Sequence, residues 1–381
     1  MLGLAWKFIR FDRAKSFGIV TAIVISVFLI GQQLSLLFFL MGLMGNLVNN
    51  APASNAPVEK DDLWIIESQS RNVNSINSID QRSVQEIGSL KGIETATPII
   101  LANAQATFLD GKTAAVTLVG APAPGFLMGP EVNKIDSGSV QDLLQPYAVS
   151  AEYFNARSWE TSLYLNKPIE INGKSAKLAV ITKNAQAFGA SFMYTTLENA
   201  SYFGNFPNDK VSLIIAKLGQ GQDKKEMIEV INQNFPHLRA WDAEKLKSST
   251  VKEILISSNM GMSFGTLVVF AMISGFFIIG LTLYSSALDR IKDYGTLKAI
   301  GAKNKFVNRL IIAQAFLYAA IGYAVAMLLI YGFKFGVEKS GLNINVSIPF
   351  ALFLLLIGRT SIGGSLFAVR KISKLEPASV F

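Results

Sequence analysis

The sequence predicts an α-helical membrane protein with four transmembrane helices, one followed by three, and a large α/β extracytoplasmic domain inserted between helices 1 and 2. Three observations carry that reading. Half of the 381 residues are hydrophobic, only 16% are charged and mean hydropathy is +0.36, too apolar for an ordinary soluble enzyme of this size. Four segments are long and apolar enough to cross a bilayer. The charges also divide by sign along the chain in the way membrane topology demands.

A helix rises about 1.5 Å per residue and the hydrocarbon core is about 30 Å thick, so roughly 20 apolar residues suffice to cross. Segments 17–43, 263–288 and 310–333 hold no charged residue, and 348–368 holds only Arg359. The basic residues Lys7, Arg10, Arg13 and Lys15 before the first segment resemble the start of a signal peptide. Its apolar run, however, is about twice the ~7 to 15 residues of a signal core, which marks a retained helix.

Basic residues beside spans set orientation. The N-terminal flank up to Lys15 has four basic and one acidic residue, 289–309 has six and two, and 370–381 has three and one. The insertion, 44–262, has 19 basic and 22 acidic residues. Both termini are therefore expected in the cytoplasm, in a multi-pass membrane protein. The net charge of +8 then reflects topology, and nucleic-acid binding loses its support. Segment 254–288 is charge-free over 35 residues, about 52 Å as a helix. The first two spans either rise out of the bilayer as stalks or tilt, with an ordinary linker at 51–57.

The expected domains are 1–50, a cytoplasmic N-terminus and the first helix; 51–253, an extracytoplasmic α/β domain of two lobes; and 254–381, with the remaining three helices. Strand pattern appears at 63–67, 98–108, 114–120, 168–172, 177–182 and 211–217. Asn172-Gly173 between two of these runs predicts a type I′ hairpin. Helical pattern appears at 80–90, where Asp80 can cap, and at 222–235.

Nothing in the insertion has a catalytic pattern. Gly111-Lys112-Thr113 and Gly173-Lys174-Ser175 echo the end of a phosphate-binding loop, but the positions that need its first glycine hold Ala106 and Pro168, so both read as turns. The single histidine, His237, cannot build a multi-histidine metal site, and zero cysteines exclude thiolate chemistry and disulfides.

The segment after the second span is the most informative. Arg290, Lys292, Asp293, Tyr294, Gly295, Thr296, Leu297, Lys298, Ala299, Ile300, Gly301 and Ala302 follow one another. They read as a basic helix leaving the membrane, an interruption at Gly295, a short amphipathic turn with Leu297 and Ile300 on one side, and a second break at Gly301. Positive-inside anchoring explains the charges but not a glycine-bounded apolar turn. The run 293–302 closely resembles the coupling-helix motif of FtsX-like permeases, the MacB-type ABC superfamily, and 294–302 is most similar to the DevC branch. The tail 370–378 resembles that superfamily's C-terminal signature. Asp293 departs from the glutamate of many relatives, keeping the charge on a shorter side chain.

The resemblance implies a MacB-like fold and a dimer of this chain that binds two copies of a separate ABC ATPase. ATP and Mg2+ would sit on that ATPase; this chain would bind no cofactor or metal and lacks Walker motifs of its own. In such systems closure at the coupling helices moves the outer domain, which drives cargo into a periplasmic membrane-fusion adaptor and a TolC-type outer-membrane channel. DevC-like members imply a glycolipid-like cargo. Rival readings are lipoprotein release or cell-wall hydrolase control by an FtsX or Lol type permease, and an envelope-stress or peptide sensor. Arg359 falls near mid-bilayer, where an uncompensated charge costs about 2.5 to 3.5 kcal/mol or more. Contact with membrane lipid or an anionic cargo is one expectation for it; a structural role with polar partners is the other.

Overall fold

Long helices apolar on all sides and strands that alternate between two faces share this chain. The computed structural model describes residues 2–11, 13–51, 58–183 and 191–339. The chain divides into two units, Met1–Phe39 with Gly261–Phe381, and Leu40–Met260. The helices are α1 (Leu2–Phe11), α2 (Arg13–Met44), α3 (Asn46–Asn50), α4 (Arg82–Gly88), α5 (Asn155–Ser158), α6 (Leu197–Gly204), α7 (Lys224–Asn234), α8 (Ala243–Ser257), α9 (Met260–Asp289), α10 (Ile291–Ala299) and α11 (Asn304–Lys339). The strands are β1 (Leu63–Glu67), β2 (Ile79–Asp80), β3 (Ile93–Phe108), β4 (Thr113–Ala121), β5 (Ile135–Ser137), β6 (Ala148–Glu152), β7 (Pro168–Ile171), β8 (Lys174–Thr182), β9 (Ser191–Thr196), β10 (Lys210–Val211), β11 (Leu213–Leu218) and β12 (Leu238–Asp242).

In the first unit, three described helices are long and apolar enough to span a membrane: Arg13–Met44, Gly261–Thr282 and Asn304–Val337. They fall on the first three expected spans. The fourth, 348–368 with Arg359, and the tail 370–378 lie outside the described residues. Helix α2 packs against both others through small residues. A Cβ on Gly275 of α9 would lie 3.0 Å from Ile30, and one on Gly322 of α11 would lie 2.5 Å from Ile23. Such close approach is how helices associate where lipid removes the hydrophobic drive. The charge-free stretch 254–288 is not one continuous helix: α8 ends at Ser257, and Asn259 takes a left-handed φ of 54° before α9 begins. Asparagine is among the few residues that adopt this conformation readily.

The second unit is a ten-stranded sheet, ordered β12-β1-β11-β3-β7-β8-β5, with β4 and β9 branching from β3 and β6 from β8. Strands β2 and β10 form a separate pair. The long β3 joins two regions: its first part pairs with β11, and its second with β4 and β7. Alternate residues go to opposite faces. Trp64, Ile66, Leu213 and Ile215 enter one core, while Leu63, Ile65, Ile214 and Ala216 enter another beneath α4 and α7, which contribute Ile87, Met227 and Ile231. Beyond β3, a third core gathers Ala102, Val116, Leu118, Leu178 and Met193.

The expected hairpin is present: Ile171 pairs with Lys174, and Asn172 and Gly173 have φ of 50° and 75°, the two positive values a type I′ turn needs. Both glycine-lysine fragments are turns, at β3–β4 and β7–β8. Asp80 belongs to β2, yet its carboxylate still accepts the Arg82 N–H at 2.9 Å at the start of α4. His237 lies 3.4 Å from the Ser83 hydroxyl.

The chain's passages into and out of this unit share its first core. Leu47, Val48 and Ala51 from α3 and its end, and Leu246 from α8, pack with Trp64, Val119 and Tyr194. Polar ties reinforce them. Asn74 Nδ2 donates to the Met44 carbonyl at 2.7 Å, Lys134 Nζ donates to Asn50 Oδ1 at 2.9 Å, and Thr250 Oγ1 accepts from the Val73 N–H at 3.0 Å.

Candidate functional site

Helix α9 ends at Asp289, and Arg290, at φ −102° and ψ 19°, breaks the helix before α10 resumes. The expected interruption at Gly295 is therefore corrected. Gly295 lies inside α10 and is buried. A mid-helix glycine costs about 1 kcal/mol relative to alanine, less than the packing of its neighbour returns. Tyr294 is 1% exposed and joins Ala5, Val307, Leu310 and Ile311 in a small core. Its hydroxyl donates to Gln314 Oε1 at 2.9 Å. Burial, the leading cause, pushes the phenol up to about 12, so it stays a neutral donor at cellular pH.

The second break falls where expected. Ile300 caps α10, Gly301 takes φ 102°, and two N–H groups turn back: Ala302 to Leu297 O at 2.9 Å and Gly301 to Lys298 O at 3.0 Å. This is a Schellman closure, and its left-handed position is one that glycine fills without strain.

The remaining residues of the segment point outward. Lys292, Asp293, Thr296, Ala299 and Gly301 are exposed, and Ile300 is 80% exposed. The Thr296 hydroxyl is turned back to Lys292 O at 2.9 Å. Leu297 and Ile300 do not act as a matched pair: Leu297 is half-buried against the Tyr294 core, while Ile300 stands clear. Between them opens a groove of about 560 Å³, lined by Leu297, Ile300, Ala302 and Phe306 and rimmed by Lys303, Lys305 and Arg309. An apolar floor with a wholly cationic rim suits an apolar side chain flanked by carboxylates.

The sequence pattern did not reveal the supports. Helix α1 lies against α10 and α11. Phe8 stacks parallel to Tyr294 with ring centroids 6.4 Å apart. The Arg290 guanidinium lies 5.6 Å from the Phe8 ring, and its Nη1 donates to Phe8 O at 2.8 Å. Ser16 Oγ donates to Ile9 O at 2.8 Å and sits 2.9 Å from the Tyr318 hydroxyl. Two carbonyls at the C-terminal end of α1, which helix geometry leaves unpaired, are thus held by Arg290 and Ser16. The apolar period of 2–11 is the one signal that could have found α1; the long-range ties leave no local trace.

The architecture defines a multi-pass membrane protein with a large α/β domain inserted after its first span. Residues 265–377 match the family model described as FtsX-like permease C-terminal. The chain is also similar to the crystal structure of the periplasmic region of MacB from Actinobacillus actinomycetemcomitans, at 12% identity and a TM-score of 0.37, over 50% of this chain and 93% of that one. A second likeness is to the extracellular domain of the noncanonic ABC-type transporter YknZ from Gram-positive bacteria, at 13% identity and a TM-score of 0.35, over 47% and 99%. No curated protein matches the chain.

Proposed function

We propose that this chain is the permease subunit of an ABC-type exporter of the MacB/DevC kind. It couples ATP hydrolysis on a separate ATPase to movement of its inserted domain, and drives a lipid-like or amphipathic cargo toward an adaptor and a TolC-type duct. The observation that carries this reading is the division of labour within 290–302. One side, Tyr294 and Arg290, is anchored in the body of the first unit; the other presents Ile300 beside an apolar groove with a basic rim. A segment anchored on one side and presented on the other transmits a push. The shared core at the roots of the second unit supports the outer half of the reading, since α3 and α8 cannot shift without moving β1 and β4.

The test is purification of the full chain in mild detergent with its associated proteins identified. The reading expects an ATPase with Walker motifs, retained by the unaltered chain and lost by Ile300→Asp, with membrane insertion unchanged. Retention of the same ATPase by Ile300→Asp contradicts it. A cell-wall hydrolase or a lipoprotein carrier in place of an adaptor favours the FtsX or Lol type alternative.

A further inference from the structure

The second half of β3 begins a ring of strands. Backbone ladders join β3 to β4, β4 to β9, β6 to β8, β8 to β7, and β7 back to β3. The junction that completes the ring, β6 against β9, has no ladder. Side chains close it instead. The Tyr194 N–H donates to Ser150 Oγ at 2.8 Å, the Thr195 hydroxyl donates to the Ala148 carbonyl at 2.7 Å, and Asn199 Nδ2 reaches the same carbonyl at 3.5 Å. Ala148, Ser150, Tyr194 and Thr195 are all buried, so β6 and β9 meet at an interior seam and neither presents this side to solvent as a sheet edge.

A seam of this kind parts more easily than a ladder. Breaking these few side-chain bonds separates the two strands, while β6 keeps its ladder with β8 and β9 keeps its ladder with β4. Local openings begin where backbone pairing is sparse. Behind the seam lies apolar surface: Val149, Leu178 and Met193 belong to the core that lines the ring. Tyr194 has a second attachment. Its N–H sits in the seam, and its side chain packs in the first core with Leu47, Val48 and Ala51, at the root of the first span. We propose that the β6–β9 seam is the line along which the ring opens, and that Tyr194 passes displacement of α3 to it. The first half stands on the hydrogen bonding alone; the second rests on the coupling role proposed above.

The chain has no native cysteine, so the rate at which a single buried thiol reacts with N-ethylmaleimide reports opening without background. Val149→Cys probes the seam, between the two β6 residues that bond across it. Val116→Cys is the matched control, in the same core but on β4, which is laddered on both sides. In the full chain the thiol at 149 is expected to react several-fold faster than the thiol at 116. Adding Ser150→Ala with Thr195→Val should raise the rate at 149 several-fold again and leave 116 unchanged, whereas Thr195→Ser, which keeps the hydroxyl, should leave both rates as they were. Equal rates at 149 and 116, an equal rise at both, or no rise at 149 overturns the proposal. This arm needs no ATPase, so it stands or falls apart from the coupling reading.

The second arm repeats the two rates in the complex with the co-purified ATPase, with and without ATP. ATP is expected to change the rate at 149 several-fold and to leave the rate at 116 as it was. An unchanged rate at 149, in a preparation whose ATP hydrolysis the chain still stimulates, overturns the link through Tyr194. Loss of that stimulation in the unaltered complex counts instead against the coupling reading.

Discussion

Tyr294 and Ile300 lie in the same segment and have opposite fates, and that contrast sets the residue-scale predictions. Tyr294→Ala opens a void in the small core and removes the donor to Gln314, so a loss of about 3 to 5 kcal/mol is expected. Tyr294→Phe removes only the hydroxyl bond and costs about 0.5 to 1.5 kcal/mol. Thermal unfolding of the purified chain ranks the two, and equal midpoints contradict the packing role. Ile300→Asp leaves stability unchanged, because the side chain touches little within the chain, yet weakens ATPase binding by about 2 kcal/mol or more if Ile300 is a hot spot. Leu297→Asp is the less clean variant, since it also disturbs the Tyr294 core. Gly301→Val forces a β-branched residue into φ 102° and destabilises by more than about 1 kcal/mol.

At the scale of elements, the carboxylates of the second unit predict a pH dependence. Asp242 caps α8, accepting the Glu244 and Lys245 N–H groups at 3.0 and 3.2 Å, and pairs with Lys224 at 2.7 Å. Burial disfavours its ionised form, but Lys224 and the backbone donors hold its pKa below the ordinary value. Asp142 is also held low, chiefly by the Ser139 N–H, and Glu67 by the Gln69 N–H with Asn77, Ser70 and Ser68 against the opposing effect of burial. Lowered folded values stabilise above the unfolded carboxylate range, near ~4, and that gain is lost as pH falls through the folded values. Asp62, raised mainly by burial, acts in the opposite sense and regains stability on protonation. Asp80 is held low as well, chiefly by the Arg82 N–H, so four lowered groups against one raised predict a net fall. The unfolding midpoint of the second unit, followed in the full chain, should hold between about pH 7 and 5 and drop below about 4, with Asp242→Asn giving a shallower drop. A midpoint unchanged at pH 3 contradicts this.

The same elements show what the sequence made legible. Alternation located β1, β3, β4, β7, β8 and β11, because each carries a clear apolar run, and Asn172-Gly173 located the turn. Strands β6 and β9 escaped, since short stretches such as Ala148–Glu152 and Ser191–Thr196 are stabilised by parallel pairing with the distant β8 and β4. Strand β12 escaped because Arg239 interrupts it. Helix α1 was counted only for its charges. In the candidate site, the motif marked 290–302 and its closing glycine. The break fell at Arg290 because Tyr294 packing overrides the weak helix propensity of Gly295.

At the scale of the whole molecule, the dimer that the resemblance implies would need a surface along which two copies meet. Phe28, Leu34, Leu37 and Phe38 of α2 are committed to packing within the first unit. Helix α9 is different: Leu267, Phe270, Phe277 and Leu281 are 48% to 63% exposed. A homodimer is therefore expected to meet along α9, and single cysteines at Phe270 and Phe277 should crosslink in membranes. Absence of a crosslink at both, in an active chain, removes α9 from the interface.

The coupling role of 290–302 is tested most directly by a photo-crosslinker at Ile300 in the full chain in native membranes, with one at Lys225 on the second unit as control. The account predicts that position 300 captures a subunit identified by mass spectrometry as a Walker-motif ATPase, with a yield that changes on ATP binding, and that position 225 does not. An ATPase captured at neither position, or equally at both, contradicts it.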